Sequence, residues 1–386
     1  MNRKTVDQQE TLELVRKLIS IDSVNPDLVH GAAGEREIAE YIHAYLSHIG
    51  LDVRFQDTPR ENRPNVIGIL HGSGGGKSLM LNGHMDTVGV AGMKQPFLGE
   101  YRDGRVYGRG AFDMKGGIAA MLLAAKNVKE SGSQLRGDLI LTTVVDEEYA
   151  SIGTEEVVKE YKADGALLLE ATDLKICVAH KGFAWVDVET SGRAAHGSRP
   201  DLGEDAIVNM GRFLAELSEL ENRLRKGSKH PLLGTGSVHA SLIRGGRELS
   251  TYPDNCLLQL ERRTVPGETK EAISQEIQSI ISKLRSDGRF EASYRITLVR
   301  DAWEVDENSE VVAAVSNCIF NHTGRPSEKT VDSGWMDSSI LQKAGIPCAI
   351  FGPGGFDAHG INEYVDLNQT VECANILVDV INTFCG

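Results

Sequence analysis

Short apolar segments alternate with helical segments along most of this 386-residue chain, and this alternation limits the possible folds more than any other feature of the sequence. The segments NVIGIL, SLMLNGH, LILTTVV and GALLLE are typical of buried strands. Helical periodicity follows at about 116–131 and 154–161. Strands that alternate with helices predict a mixed, mostly parallel sheet flanked by helices, which is an α/β fold.

A different order of elements occupies residues 180–298. There the periodicity predicts strand, helix, strand, strand, helix and strand, and this βαββαβ order is that of the ferredoxin-like split unit. The α/β alternation then returns. We therefore expect residues 1–179 and 299–386 to form one α/β domain, into which residues 180–298 are inserted as a second, smaller domain.

Charge and cysteine content restrict the partners and the compartment. The chain has 41 Lys and Arg against 55 Asp and Glu, a net charge of −14, so nucleic acid and anionic membranes would be repelled. The six cysteines include no C-x-x-C pair, which argues against a thiolate zinc site or a disulfide framework. The N-terminus lacks an apolar signal segment, and no apolar stretch is long enough to span a membrane. We expect a soluble, cytoplasmic protein.

Acidic and imidazole residues follow three of the predicted strands. His84 and Asp86 come after SLMLNG, Glu147 and Glu148 come after LILTTVVD, and Glu170 ends GALLLE. In an open α/β sheet, ligands bind in the crevice outside the carboxyl ends of the strands. These side chains are therefore expected to converge, although they are far apart in the sequence.

Two more residues are placed to reach the same crevice: Asp113, just ahead of a predicted helix, and His359, just after the predicted strand CAIF. Two histidines with several carboxylates form a donor set that favours zinc, with manganese or cobalt as substitutes. Ordinary structural roles remain open, because Asp113 could cap a helix and Glu147 could lie in a solvated turn. A carboxylate such as Glu170 at the end of an apolar strand needs a cation or several donors.

Five motifs, in this order and spacing, resemble those of the di-zinc aminoacylase and carboxypeptidase family, which includes acetylornithine deacetylase, succinyl-diaminopimelate desuccinylase and glutamate carboxypeptidase. They are LMLNGHMDTV, YGRGAFDMKGG, VVDEEYASIGT, GRAAHGSRPDLGEDAI and FGPGGFDAHGINEYV. The resemblance implies a zinc-peptidase-like catalytic domain interrupted by a lid domain that mediates dimerisation. The chain has no G-x-S-x-G or H-E-x-x-H motif, so a serine hydrolase or a single-zinc helical site is not indicated.

The resemblance also implies two Zn²⁺ ions per subunit, for which Co²⁺ or Mn²⁺ could substitute. By that resemblance, one ion is held by His84 and Glu170 and the other by Glu148 and His359. Asp113 would bridge the two ions.

The same resemblance assigns Glu147 as the general base, which takes a proton from water and returns it to the leaving amine. Asp86, two residues after His84 on an extended backbone, would accept the imidazole N–H and fix its tautomer. The family often has a non-proline cis peptide at the bridging aspartate, which here is Asp113-Met114.

Other residues would bind the substrate or complete the site. Without the resemblance, His196 is a turn histidine, whereas the family pattern implies that it reaches the partner subunit's site in a homodimer and donates to the oxyanion. Arg263 matches the arginine that receives a substrate carboxylate through its guanidinium fork. Gly354 and Gly355 could present N–H groups to that carboxylate or could simply form a turn. Ser250 stands where the family usually has Asn, which alters the pocket.

We therefore expect a zinc-dependent amidohydrolase of the deacetylase or desuccinylase type, acting on an N-acyl amino acid with a free carboxylate. A carboxypeptidase or dipeptidase acting on small peptides would use the same catalytic residues, and the sequence does not show the pocket that distinguishes them. A third alternative is a catalytically silent metal-binding homologue. Such a protein would be expected to lack the base or a ligand, and this chain retains the base and all five ligands.

Overall fold

The computed structural model describes residues 5–286 and 288–386. The chain forms two compact units. The first contains the described residues up to Val178 together with Val305–Thr330 and Met336–Gly386. The second contains Ala179–Glu304 and Val331–Trp335.

Helices and strands alternate along much of the described chain. In chain order, the helices are α1 (Gln8–Ser20), α2 (Arg36–His48), α3 (Gly116–Glu130), α4 (Ile152–Glu160), α5 (Ala206–Lys226), α6 (Lys270–Arg285), α7 (Glu310–Thr323), α8 (Ser338–Lys343) and α9 (Leu367–Cys385), with a π-helical turn at Ala111–Lys115. The strands are β1 (Asp52–Gln56), β2 (Asn65–Leu70), β3 (Leu79–His84), β4 (Glu100–Arg102), β5 (Arg105–Tyr107), β6 (Leu139–Val144), β7 (Gly165–Leu168), β8 (Ile176–His180), β9 (Gly182–Ser191), β10 (Ser237–Gly245), β11 (Asn255–Thr264), β12 (Glu291–Arg300), β13 (Trp303–Glu304), β14 (Lys329–Asp332), β15 (Cys348–Ile350), β16 (Gly355–Phe356) and β17 (Tyr364–Asp366).

The main sheet of the first unit is mixed, with a parallel centre. Its strands follow the order β1-β2-β6-β3-β7-β15 and then the start of β8. The pairs β6/β3, β3/β7 and β7/β15 are parallel, whereas β1/β2, β2/β6 and β15/β8 are antiparallel. Every residue of β3, β6 and β7 is buried, as expected for central strands covered on both faces. The predicted α/β fold is confirmed.

Helix α3 approaches the end of β7 very closely. The helix is apolar on nearly all sides and packs against α9. At Gly117, an added Cβ would lie 1.9 Å from the carbonyl oxygen of Leu169, so only glycine permits this approach. The beginning of α3 is thereby held beside Glu170, which follows Leu169.

A smaller antiparallel sheet, β16-β17-β5-β4, also belongs to the first unit. The sequence predicts a GPGG turn after CAIF, but Gly355 begins β16 and pairs with Val365. A Cβ on Gly355 would lie 2.2 Å from the carbonyl oxygen of Tyr364 and 2.6 Å from the ring of Phe112. Close approach within a sheet, and not only turn geometry, therefore requires glycine at this position.

The second unit contains the predicted βαββαβ order in β9, α5, β10, β11, α6 and β12. Its sheet has the order β10-β11-β9-β12 and every pair is antiparallel. Buried and partly exposed residues alternate along β11, so one face of the strand packs against the helices. Asp205 and Thr269 cap α5 and α6 by accepting backbone N–H bonds. This is the ferredoxin-like arrangement that the sequence predicts.

Among the described residues, none of the helices has the length and apolarity required to cross a lipid bilayer.

Candidate metal centre

The parallel strands β6, β3 and β7 end side by side, and their following residues form one cluster. His84 is the last residue of β3 and pairs with Val144 at the end of β6. Glu147 and Glu148 follow β6 by three and four residues, and Glu170 follows β7 by two. The parallel register thus brings the carboxyl ends together, as the sequence pattern requires.

Asp113 and His359 enter the cluster from loops. Asp113 lies in the π-helical turn before α3, with non-helical dihedral angles and a cis peptide bond to Met114. His359 lies between β16 and β17 with a φ of +64°, in the left-handed region. Asp113 does not cap α3, because that helix has Lys115 at its N-cap position and no side-chain capping bond.

The imidazole of His84 faces three carboxylates. Its Nε2 lies 3.0 Å from Asp113 Oδ1, 3.5 Å from Glu170 Oε1 and 4.0 Å from Glu147 Oε2. The side chain of His84 is 1% exposed. Glu170 and Glu147 are 7% and 9% exposed, whereas Asp113 is 21% exposed, so the cluster is open to solvent on the Asp113 side.

His359 faces the other side of Asp113. Its Nε2 lies 3.1 Å from Asp113 Oδ2 and 3.0 Å from Glu148 Oε2. The two oxygens of Asp113 are thus directed at different histidines. A carboxylate in that position is able to bridge two ions.

Two groups of ligand atoms lie close enough to hold a cation. One contains His84, Asp113 and Glu148, the other contains His84, Glu147 and Glu170, and within each group the atoms lie within 4.8 Å of one another. Nitrogen and carboxylate oxygen donors of this kind suit Zn²⁺ and related divalent ions.

The polar groups of the cluster fit a bound cation better than they fit one another. Glu148 Oε1 is buried and has no hydrogen-bond partner. Four carboxylates, those of Asp113, Glu147, Glu148 and Glu170, are placed around two imidazoles. Buried charges of one sign are unfavourable unless they are compensated. A divalent cation would supply both the missing positive charge and a partner for Glu148 Oε1.

The pKa shifts have the same origin. Burial raises the pKa of Glu147 and Glu170 well above the usual range, despite the opposing effect of His84. Burial and the Asp113 carboxylate raise the pKa of Glu148 to about 7. Hydrogen bonds to Asp113 and Glu148 raise the pKa of His359 to about 10. Burial alone would lower the pKa of His84, but neighbouring carboxylates, chiefly Glu170, raise it.

Asp86 contacts both glutamates that follow β6. Its Oδ1 and Oδ2 accept hydrogen bonds from the backbone N–H groups of Glu147 and Glu148, at 3.1 and 3.2 Å. The nearest acceptor for His84 Nδ1 is the backbone oxygen of Asp86, at 2.9 Å, whereas Asp86 Oδ1 lies 3.6 Å away. Asp86 therefore touches His84 mainly through its backbone and uses its carboxylate to orient the two glutamates.

A buried polar network lies behind Asp86, and the sequence does not predict it. Asn25 donates to Asp86 Oδ2 at 2.8 Å and to Asp146 Oδ1 at 3.1 Å. Arg63 pairs with Asp146 at 3.0 Å and forms a bidentate pair with Glu35 at 2.6 and 2.7 Å. The network joins four separate parts of the chain, so no local pattern indicates it.

Sequence reasoning also misses the ion pair of Arg109 and Glu363, which are 2% and 1% exposed. Both lie inside motifs that support the family resemblance, YGRGAFDMKGG and FGPGGFDAHGINEYV. Those motifs are the available signal, but spacing alone does not pair residues that are 254 positions apart.

Three predicted residues, His196, Ser250 and Arg263, belong to the second unit and not to the cluster. His196 is exposed, and its Nδ1 lies 2.8 Å from Ser198 Oγ. The exposed Ser250 is adjacent, because its carbonyl accepts the N–H of Gly197 at 2.7 Å. Arg263 is half-buried on β11, where Nε bonds to Glu261.

Gly354 and Gly355 lie in the first unit. A Cβ on Gly354 would lie 2.1 Å from Asp173 Oδ1 and 2.4 Å from Gln369 Oε1, so this backbone is packed tightly against polar side chains. Its carbonyl accepts the N–H of Asp366 at 2.9 Å.

The fold and the cluster fit a metal-dependent hydrolase, because ligands bind at the carboxyl ends of parallel strands and imidazole and carboxylate donors can hold catalytic divalent ions. A family model described as Peptidase family M20/M25/M40 matches residues 80–383. The chain belongs to this peptidase family, whose members hydrolyse amide or peptide bonds. The resemblance predicted from the five motifs is confirmed.

Relatives match almost the full length of the chain. An N-formyl-4-amino-5-aminomethyl-2-methylpyrimidine deformylase from Bacillus subtilis (strain 168) is 30% identical, over 98% of this chain and 95% of that protein. An acetylornithine deacetylase from Myxococcus xanthus is 31% identical, over 90% and 92%. A tripeptidase structure from Staphylococcus aureus has a TM-score of 0.80 at 22% identity and covers 99% of this chain and 100% of that one. The last similarity supports the fold alone.

Proposed function

We propose that this protein hydrolyses the amide bond of an N-acyl amino acid with two divalent ions, most favourably Zn²⁺. The observation that carries the proposal is the position of Asp113, whose two oxygens face His84 and His359 at 3.0 and 3.1 Å. His84 and Glu170 would hold one ion, and Glu148 and His359 the other. Asp113 would bridge the pair.

When bound, such ions supply Lewis acidity, which makes water nucleophilic near neutral pH and stabilises negative charge on the carbonyl oxygen. Glu147 acts as the base that takes the proton from the attacking water and delivers it to the leaving nitrogen. Its placement supports this role, because Asp86 anchors its backbone N–H while its buried carboxylate reaches to 4.0 Å from His84 Nε2. The Glu147 side chain is 9% exposed, so bulk water screens its interactions with the reacting groups only weakly.

The substrate carboxylate would bind to Arg263, with Ser250 as a further donor. The guanidinium of Arg263 lies over the Phe183 ring, 5.3 Å from its centroid, and Nε bonds to Glu261. These two contacts fix the plane of the guanidinium fork, which suits a bidentate partner.

The chain would act as a homodimer in which His196 completes the partner's site. Strand β10 supports this arrangement because it is an edge of its sheet and carries exposed apolar side chains. Leu242 is 55% and Ile243 53% exposed. An apolar edge strand of this kind favours pairing with another strand, and a second copy offers an identical edge.

A cytoplasmic location is part of the proposal. All six cysteines are free and buried, which suits a reducing compartment.

The relatives support an N-acyl substrate, because the deformylase and the acetylornithine deacetylase are named for removal of a formyl or an acetyl group. The description of the family as peptidases favours one alternative, a carboxypeptidase or dipeptidase acting on small peptides.

A hydrolysis screen tests the proposal. Protein loaded with Zn²⁺, Mn²⁺ or Co²⁺ is offered N-formyl, N-acetyl and N-succinyl amino acids beside dipeptides, and metal content is measured by mass spectrometry. We expect two ions per chain and hydrolysis of an N-acyl amino acid. Preference for dipeptides would support the alternative, and a chain that binds no ion would overturn both.

A further inference from the structure

The buried ion pair of Arg109 and Glu363 connects the two loops that carry Asp113 and His359. Arg109 Nη1 donates to Glu363 Oε2 at 2.5 Å. Both residues are almost fully buried, so the pair is protected from water and salt.

Glu363 binds the loop that carries Asp113. Its Oε1 accepts the backbone N–H groups of Phe112 and Asp113, at 3.0 and 3.1 Å, and its Oε2 accepts that of Gly110 at 3.1 Å. One carboxylate thus takes three backbone bonds from four consecutive residues, directly at the candidate bridging ligand. Charge-assisted bonds of this kind are stronger than neutral ones.

Arg109 binds the loop that carries His359. Its Nη2 donates to the carbonyl oxygens of His359 and Gly360, at 3.2 and 3.0 Å. His359 has a φ of +64°, which non-glycine residues seldom adopt without support from neighbouring groups. The two carbonyl bonds supply such support.

The smaller sheet of the first unit places Arg109 beside Glu363. Strands β5 and β17 pair antiparallel, with Tyr107 opposite Tyr364, and the N–H of Gly108 donates to the carbonyl of Glu363 at 3.1 Å. Arg109 and Glu363 therefore lie next to each other just beyond the paired residues. The register of this sheet places the ion pair between the two loops.

We propose that the Arg109–Glu363 pair is a clamp that fixes the spacing between Asp113 and His359 and so sets the affinity of the site for its metal ion. Both are positioning residues, since they act through the ligands and not on substrate. The proposal rests on the proposed function in that it takes Asp113 and His359 as ligands. Removing an outer partner of a ligand typically costs about 10- to 100-fold in metal affinity.

Arg109→Lys tests the clamp, because lysine retains the charge opposite Glu363 but lacks the fork that reaches His359 and Gly360. Arg262→Lys is the matched control: Arg262 is also 2% exposed and pairs with Glu268 and Glu276, but it lies in the second unit. Zn²⁺ affinity is measured by chelator competition, and the Co²⁺-loaded proteins are compared by visible absorption.

We expect Arg109→Lys to bind Zn²⁺ at least about tenfold more weakly and to change the Co²⁺ spectrum, as for loss of an outer ligand partner. The control should retain the wild-type affinity and spectrum. Wild-type values for Arg109→Lys, or equal losses in both variants, would overturn the clamp. Should Arg109→Lys fail to fold, the same measurements on Glu363→Gln decide the matter.

Hydrogen exchange of the metal-free wild-type protein provides a test that needs neither a variant nor a bound ion. The clamp requires the amides of Gly110, Phe112 and Asp113 to be protected, since each donates to Glu363. Exchange of all three at the rate of free peptides would overturn the clamp. Because this test uses no metal, its result concerns the clamp alone. Failure of the proposed function would be seen separately, as a wild-type chain that binds no ions.

Discussion

The carboxylate of Asp86 accepts the backbone N–H of Glu147 at 3.1 Å, and through this bond the segment that follows β3 orients the residue proposed as general base. The other oxygen of Asp86 accepts the N–H of Glu148 at 3.2 Å. A single side chain thus holds a candidate base and a candidate ligand in a fixed relation.

Removal of the Asp86 carboxylate should lower the rate of hydrolysis more than it changes the fold. We expect Asp86→Ala to lower kcat by about 10- to 100-fold, because Glu147 and Glu148 lose their shared acceptor. Asp86→Asn keeps one acceptor oxygen and should lie between Ala and wild type. Steady-state kinetics with metal analysis checks the order of the three proteins. Wild-type kcat in Asp86→Ala would contradict the orienting role.

Replacement of the carboxylate by an amide should have different effects at Glu147 and at Glu148. Glu147→Gln is expected to keep its metal content and lose about 10² to 10⁴-fold in kcat, since it removes only proton transfer. Glu148→Gln should lose bound metal, because Glu148 contacts His359 at 3.0 Å and has a buried oxygen that needs a partner. Metal analysis beside kinetics separates the two. Loss of metal in Glu147→Gln would instead assign it as a ligand.

The sequence predicts the residues at strand ends well, because parallel pairing brings such ends together whatever the rest of the fold does. His84 and Glu170 are examples, with His84 Nε2 lying 3.5 Å from Glu170 Oε1. Asn25 and Arg63 are beyond the reach of sequence patterns, because their positions depend on how loops pack against a finished sheet. The contacts of the Asp86 carboxylate differ from the expected bond to the His84 imidazole for a related reason. The extended backbone places the carboxylate near His84, but the turn after β6 brings the backbone N–H groups of Glu147 and Glu148 closer.

The proposed sharing of His196 between subunits predicts complementation. His196→Ala and Asp113→Ala homodimers should each be inactive, whereas mixing them should restore about one quarter of wild-type activity. Random exchange gives heterodimers in which one of the two sites has both residues intact. Activity is measured after subunit exchange has been verified with two differently tagged chains. Absence of rescue in verified heterodimers would contradict the sharing of His196.

The buried network around Arg63 predicts a large loss of stability when Arg63 is replaced by an uncharged side chain of similar shape. Arg63 is 5% exposed and compensates Glu35 and Asp146, so Arg63→Met leaves two buried carboxylates without their cation. Such a loss costs about 3 to 5 kcal/mol. Arg36→Met, which breaks an exposed pair with Glu40, should cost no more than about 1 kcal/mol. Unfolding in urea compares the two variants, and equal losses would show that Arg63 does not neutralise these carboxylates.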